Sequence, residues 1–353
     1  MSTLKVDNIR HNNATSDAIT MASDGTCTAK LTSVGGGPLS HRNYFINGNT
    51  IIWQRGTSNP NVNNYGCDRW WFANGATRVD RSTVVPDGFA YSMKVTSNGS
   101  GTSIGQPIEL IGTGRSQFEP SATYTLSFYA RTDSGTNSIS ATVYYRNSKY
   151  SGTNQVNWGP SVTQTMGTMT TTFQRFSKTF TAPSAANANN QMLAIEFNNN
   201  ATYYITGIQF ERGDTMTAYE HLSFGDELTR CQRYFYRIGG QSRTYQVVGN
   251  GFVGQNGSTK CAKIIINFPT TMRDRPTLSV IGTDAFKGDT GGAASAMDCT
   301  VLANQGGMWN AASSTDIAWV DFGRTSGGSP ANGTAVVVYT TGAQGEVAFS
   351  AEF

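Results

Sequence analysis

Charge is scarce in this chain. Of 353 residues only 14% are Asp, Glu, Lys or Arg, against about 25% in ordinary globular domains. The 26 basic and 23 acidic residues leave a net charge of +3, and no Lys/Arg cluster stands out. Electrostatic capture of nucleic acid needs such a cluster, so no nucleic-acid partner is expected. No apolar run reaches the roughly 18–20 residues of a membrane-spanning helix, so no membrane insertion is expected. Met1 to Arg10 lack the apolar centre of a secretory signal, which predicts synthesis in a cytoplasm without export. Histidine is limited to His11, His41 and His221, which share no spacing with Cys, Asp or Glu. No Gly-x-Ser-x-Gly elbow, His-Glu-x-x-His pair or phosphate-binding loop occurs. The five cysteines, Cys27, Cys67, Cys231, Cys261 and Cys299, are odd in number and irregularly spaced. That argues against a disulfide framework and a Cys-x-x-Cys metal site, and predicts buried reduced thiols. No fixed-period repeat is present, which argues against a β-helix or solenoid.

In place of charge the chain carries Thr, Ser, Asn and 39 glycines. Gly and Asn tolerate the positive φ of tight hairpin turns, so short strands joined by turns are expected. Residues 1–38 are polar, with alternation at Leu4, Val6 and Ile9 and again at Ile19 and Met21. They predict two short strands around a turn at Asn12–Asn13, too small to stay folded alone and therefore paired with other copies or another protein. Gly35-Gly36-Gly37-Pro38 reads as a linker.

Composition changes at Arg42. Tyr124, Leu126, Phe128 and Ala130 share one face of a strand. Ile139, Ala141, Val143 and Tyr145 share another, as do Leu193, Ile195 and Phe197, and Ile208 and Phe210. Period-two runs separated by Asn/Gly/Ser turns predict an antiparallel β-sandwich over 39–222, its strands within about Arg42–Glu220. Ser223 and Asp226 have capping-box spacing, and Leu228, Cys231 and Phe235 recur on one helical face. This predicts a connecting helix over about Gly225–Arg237 in a 223–240 segment, ended by Gly239-Gly240. The remainder, 241–353, predicts a second β-sandwich with strands at Ala262–Phe268, Thr277–Ile281, Ile317–Phe322, Ala335–Tyr339 and Glu346–Phe353. Ala335-Val336-Val337-Val338-Tyr339 is apolar on both faces, so it reads as a central strand or an oligomer interface. The fold class is therefore all-β with one helix.

Several segments resemble bacteriophage tail-fibre proteins. Ser2-Thr3-Leu4-Lys5-Val6-Asp7-Asn8-Ile9 looks like the opening of marine and cyanobacterial phage fibres. Asn47-Gly48-Asn49, Trp53-Gln54-Arg55-Gly56 and Asp68-Arg69-Trp70 look like the start of a jelly-roll module similar to carbohydrate-binding jelly rolls. Gln209-Phe210-Glu211-Arg212-Gly213 matches that module's closing strand. Glu227-Leu228-Thr229-Arg230-Cys231-Gln232-Arg233-Tyr234-Phe235-Tyr236 matches the helix that follows it in such fibres. Pro269 to Pro276 comes near their Pro-x-x-Met-Arg-x-x-Pro loop. The resemblance implies a homotrimeric virion fibre, attached to tail or baseplate proteins through 1–38, with its C-terminal domain turned to host surface polysaccharide. Leu228, Cys231 and Phe235 would then face the three-fold axis.

Sugar binding asks for flat aromatics beside planar polar groups, because pyranose rings stack on indole and phenol faces. Trp309 and Asn310, in a Gly-rich stretch, are the first candidates, with Tyr245, Asp321 and Arg324 as companions and Trp158 in a sandwich loop. Packing of Trp309 into an oligomer interface is the competing reading. Trp53, Trp70 and Trp71 read as core, and Arg55, Asp68 and Arg69 as an ion-paired cluster. Asn61, Asn63 and Asp68 offer oxygen ligands for a structural calcium near the first loop. Hydrolysis of surface glycan would need two facing carboxylates. Glu109, Glu119, Asp133, Glu196 and Glu211 are available, and nothing in their spacing singles out a pair. The reading is thus a non-catalytic fibre subunit without a resident cofactor. A capsid decoration or head-fibre protein, a depolymerase spike and a bacterial lectin stand as alternatives.

Overall fold

The computed structural model describes residues 6–10, 19–21, 23, 27–29, 41–60, 64–110, 118–146, 156–158, 163–184, 192–240, 245–256, 258–281, 286–291, 297–301, 313–341 and 345–352. It is all-β with one helix among these residues, as the alternation predicts. At the N-terminus β1 (Asn8–Ile9) pairs with β2 (Ile19–Met21), and a third strand, β3 (Cys27–Ala29), joins β2. The Asn12–Asn13 turn lies outside the described residues. Val6, Ile9 and Met21 are exposed.

The sandwich holds β4 (Ser58–Asn59), β5 (Asn64–Tyr65), β6 (Trp71–Ser82), β7 (Ser92–Glu109), β8 (Thr123–Thr132), β9 (Asn137–Arg146), β10 (Val156–Asn157), β11 (Thr163–Met169), β12 (Gln174–Thr181), β13 (Met192–Asn199) and β14 (Tyr203–Arg212). The long strand β7 serves both leaves. Its first part pairs with β14, which continues to β8 and β12. Its second part pairs with β13, which continues to β9 and its partners β10 and β11. A strand that passes from one sheet into the other closes a corner of the sandwich. The alternating residues Leu126, Phe128, Ile139, Val143, Leu193, Phe197 and Phe210 all fall in one core. Phe128 and Phe197 meet across it edge to face at 4.9 Å, the geometry that the ring quadrupoles favour.

The helix α1 spans Phe224–Gln232. Ser223 caps it as predicted: its hydroxyl accepts from the Asp226 amide at 3.2 Å and donates to the Asp226 carboxylate at 2.7 Å. The helix stops earlier than expected. Phe235–Gly239 is a strand, β15, because Tyr234, Phe235 and Tyr236 are drawn into packing with the C-terminal chain end. Gly239 and Gly240, both at positive φ, end that strand and not the helix.

The C-terminal region is all-β but is not a second sandwich. β16 (Val247–Asn256), β17 (Thr259–Asn267), β21 (Ile317–Gly327), β20 (Met297–Val301), β19 (Phe286–Asp289) and β22 (Ala335–Thr340) close a six-stranded barrel in that order. β15, β23 (Glu346–Ser350) and β18 (Thr277–Ile281) form a small sheet beside it, with β23 in the middle. Closure removes the free edges that an open sandwich would leave, and strand alternation alone does not distinguish the two. Val336 and Val338 point into the barrel, while Val337 points out.

Candidate functional site

The family-like motifs of the sequence converge in space on the joint between sandwich and C-terminal region. The Asn47 side chain donates to the carbonyls of Ile52 and Asp68 and accepts from the Ile52 amide, while its carbonyl accepts from the Trp70 indole. Its amide donates to the Glu227 carboxylate of α1 at 2.8 Å. Gly48 is required by crowding, since a Cβ there would lie 2.1 Å from the Ile208 carbonyl oxygen. Gln54 bridges the two regions, donating to Asp68 at 2.6 Å and to the Phe235 carbonyl at 2.8 Å.

Two arginines cross the joint. Arg55 pairs with Asp68 at 3.3 Å and with Glu352 at 3.2 Å, and its guanidinium lies 3.6 Å from the Phe235 ring centre. Arg69 pairs with Glu352, donates to the Pro107 carbonyl and stacks 3.5 Å from the Tyr234 ring centre. The expected ion-paired cluster of Arg55, Asp68 and Arg69 is therefore present, with Glu352 as the partner of Arg69. Asp68 is almost wholly buried, and desolvation pushes its carboxyl up to about 6 against the pull of Arg55. Arg273, from the Pro-bracketed loop, donates its amide to the Arg233 carbonyl and its side chain to the Ala351 carbonyl, both at 2.7 Å. Fully paired charges of this kind hold two regions in one geometry, because removing either partner leaves a buried charge.

The closing-strand motif is a latch of the same kind. Glu211 accepts from the Thr217 amide and hydroxyl, and Gln209 accepts from the Glu220 amide. Glu220 in turn accepts from the amides of His41, Arg42 and Asn43. This folds 213–222 over the outside of the sandwich.

Beside the joint opens a cleft of about 540 Å³, lined among others by Tyr44, Gln106, Glu109, Arg230, Arg233 and Tyr234. Its size falls in the usual range for small ligands, roughly 300–1,000 Å³. Glu109 accepts from Nε and Nη2 of Arg233 and from the Tyr234 hydroxyl at 2.9 Å. Gln106 is held by the Ile46 amide and carbonyl. Arg230 lines the same cleft and makes no ion pair among the described residues. Carboxylate, guanidinium, amide and phenol together supply the planar donors and acceptors that sugar hydroxyls need. A second cleft of about 690 Å³ on the other side of the joint holds Arg55, Arg237 and Arg273, all already committed to Asp68, Glu346 or backbone carbonyls. Glu109 was visible in the sequence only as one of five carboxylates; Arg230 and Arg233 were visible only as helix-motif residues.

Among the described residues, the predicted site residues fall in different places. Trp309 and Asn310 lie outside the described residues, as do Asn61 and Asn63. Trp158 is fully buried among Phe118, Tyr124 and Tyr145, so it is core and not a sugar platform. Tyr245 is 71% exposed and leans on Tyr339. Asp321 is buried and accepts from Lys263 and the Trp319 indole, both at 3.1 Å. Arg324 folds back onto the carbonyls of Gly327 and Gly328. Cys231 and Phe235 are buried within the single chain, on either side of the joint, and so are not free to line a three-fold axis; Leu228 is half-buried. Asp68 does not suit calcium, because its oxygens already serve Gln54 and the Arg55 cation. Trp53, Trp70 and Trp71 are core, and Cys67, Cys231, Cys261 and Cys299 are buried free thiols, as expected. Of the five carboxylates, Glu109, Glu119, Asp133 and Glu211 are each tied to a separate partner.

Residues 56–202 match the family model described as Carbohydrate binding domain. The match covers most of the sandwich and none of the barrel. Among solved structures the chain is similar to the CBM22-1 xylan-binding domain of Paenibacillus barcinonensis Xyn10C, at 10% identity over 52% of this chain and 100% of that one, TM-score 0.34. It is similar to a structure titled "CBM4 structure and function", at 22% identity over 47% of this chain and 97% of that one, TM-score 0.32. A tandem CBM22-1–CBM22-2 structure from the same Paenibacillus protein covers 91% of this chain and 98% of its own length, at 10% identity and TM-score 0.33. A search of curated protein sequences finds no match.

Proposed function

We propose that the chain is a non-catalytic, glycan-binding subunit of a phage tail fibre. The observation that carries the glycan part is the match of residues 56–202 to a carbohydrate-binding family. The fibre part rests on the N-terminal and helix motifs that resemble phage fibres. In this reading residues 1–38 attach to tail or baseplate proteins, copies assemble as a homotrimer, and host surface polysaccharide is the ligand. The cleft beside the joint is the sugar site, with Arg230 and Glu109 as its polar contacts and Tyr44 beside them. Several weak sites on one fibre would raise avidity roughly 100–10,000-fold through effective concentration.

The test is calorimetric titration of the full chain with polysaccharides selected on a glycan array. Arg230→Ala should weaken binding about tenfold, the value of one charge-assisted hydrogen bond of about 1.5 kcal/mol, with melting unchanged. A wild-type chain that binds no polysaccharide, or an Arg230→Ala chain that binds as tightly, overturns the sugar site. Antibody labelling of virions that finds the chain on the capsid overturns the fibre assignment.

A further inference from the structure

The charges around the cleft beside the joint do not cancel. Its lining holds three arginines, Arg69, Arg230 and Arg233, and one carboxylate, Glu109. Glu109 is matched by Arg233 at 3.0 Å and also accepts from the Tyr234 hydroxyl. Arg69 is buried, paired with Glu352, and its guanidinium is covered by the Tyr234 ring. Arg230 is left over. Among the described residues its side chain has no ion pair and no hydrogen bond.

Arg230 stands in the last turn of α1, where the helix dipole favours a cation. Its side chain is not consumed as a cap there. The Thr229 carbonyl accepts from the Arg233 amide and the Cys231 carbonyl from the Tyr234 amide. The neighbouring acids are spent elsewhere, and none of them lines the cleft. Asp226 accepts from the Ser223 hydroxyl at 2.7 Å. Glu227 feels the charge of Arg230, but it is buried and accepts from the Asn47 amide at 2.8 Å. Glu220 accepts from the amides of His41, Arg42 and Asn43. The cleft therefore keeps one cation in excess. Tyr44, Ile108 and Leu110 give it an apolar side as well.

We propose that this cleft selects an anionic glycan, with an acidic group of the sugar seated on Arg230 and the sugar ring lying against Tyr44. The proposal rests on the cleft being the sugar site and names the class of sugar it takes. A guanidinium presents paired, planar donors that fit the oxygens of a carboxylate, sulfate or phosphate group. A neutral glycan brings hydroxyls alone and leaves that cation without a counter-charge. Glu109 does not repel the ligand, because Arg233 matches its charge before the ligand arrives.

The test starts from a glycan array that carries uronate-bearing, sulfated, phosphorylated and neutral polysaccharides, probed with the full chain. The bound glycans should be acidic, and which of them bind assigns the group as carboxylate or ester. An array on which only neutral glycans bind overturns the anionic class and leaves the sugar site standing. An array on which nothing binds overturns both. Calorimetry then compares each bound acidic glycan with the same glycan stripped of its acidic groups. The acidic form should bind about tenfold tighter at about 0.05 M salt, and the margin should shrink at about 0.5 M. Arg230→Ala should bring the two forms to equal affinity with melting unchanged. Arg230→Lys should keep part of the margin, since it retains the charge without the fork. Equal affinity of the two forms for the wild-type chain overturns the proposal, and so does a margin that survives Arg230→Ala.

Discussion

The joint and the outer face of the barrel ask opposite things of a neighbour. At the joint, Arg55, Arg69, Arg233 and Arg273 each meet carboxylates or carbonyls within the same chain, and aromatic rings cover the guanidinium planes. On the barrel, Val247, Phe252, Ile265 and Val337 end in solvent. A buried charge tolerates only partners at the right distance and angle, so the joint is complete and specific. An exposed apolar side chain demands only removal from water, so these positions stay open to whatever covers them. The difference teaches that motif-rich sequence marks the rigid part of this molecule, while the motif-poor part holds its unsatisfied surface.

That contrast breaks first at Arg69. Replacing it by Ala leaves the buried carboxylate of Glu352 with Arg55 alone and removes the donor to the Pro107 carbonyl, and should lower stability by about 3 kcal/mol. Urea denaturation reads this, and a midpoint within error of wild type would show that the joint does not hold the two regions. Gly48→Ala should cost about 1–3 kcal/mol, since its Cβ would be forced against the Ile208 carbonyl; thermal melting measures it.

The pH response sharpens the comparison. Asp68 stands at about 6 when folded and near 3.9 when unfolded. The folded chain therefore holds this proton longer, so its contribution to stability is full below about 4 and is lost as pH rises through about 6. Urea midpoints measured across that window should fall for the wild type and fall less for Asp68→Asn. Equal slopes would remove Asp68 from the account. On the barrel face the effect on folding should be least. Ile265→Glu/Val337→Glu should shift stability by only about 0.5 kcal/mol per site, as exposed substitutions do; thermal melting measures it.

Much of the sandwich was legible because its signal is local. Alternation at Tyr124–Ala130 and Ile139–Tyr145 names inward faces without knowledge of the partner strand. Ser223 and Asp226 cap a helix by contacts three residues apart. The strand at Phe235–Gly239 was missed because the same residues continue a helical spacing, and tertiary pairing with β23 overrode it. Trp158 was misplaced for a related reason: Asn157 and Gly159 mark a loop, and a loop indole can still turn inward to fill a core. The site was less legible than the fold. Arg230 and Glu109 are 121 positions apart in the sequence, and nothing in either one's neighbours announces the other.

The sequence by itself determined the all-β class, the core faces of the sandwich strands, the start of the helix and the reduced state expected of the thiols. Each of these follows from residue type and short-range spacing. Only the tertiary structure decided that the C-terminal strands close into a barrel, that the motifs meet at a joint and that Val337 of β22 looks outward while Val336 and Val338 look inward. Those outcomes depend on pairings such as Arg69 with Glu352, which are 283 residues apart, and chain separation of that order leaves no local trace.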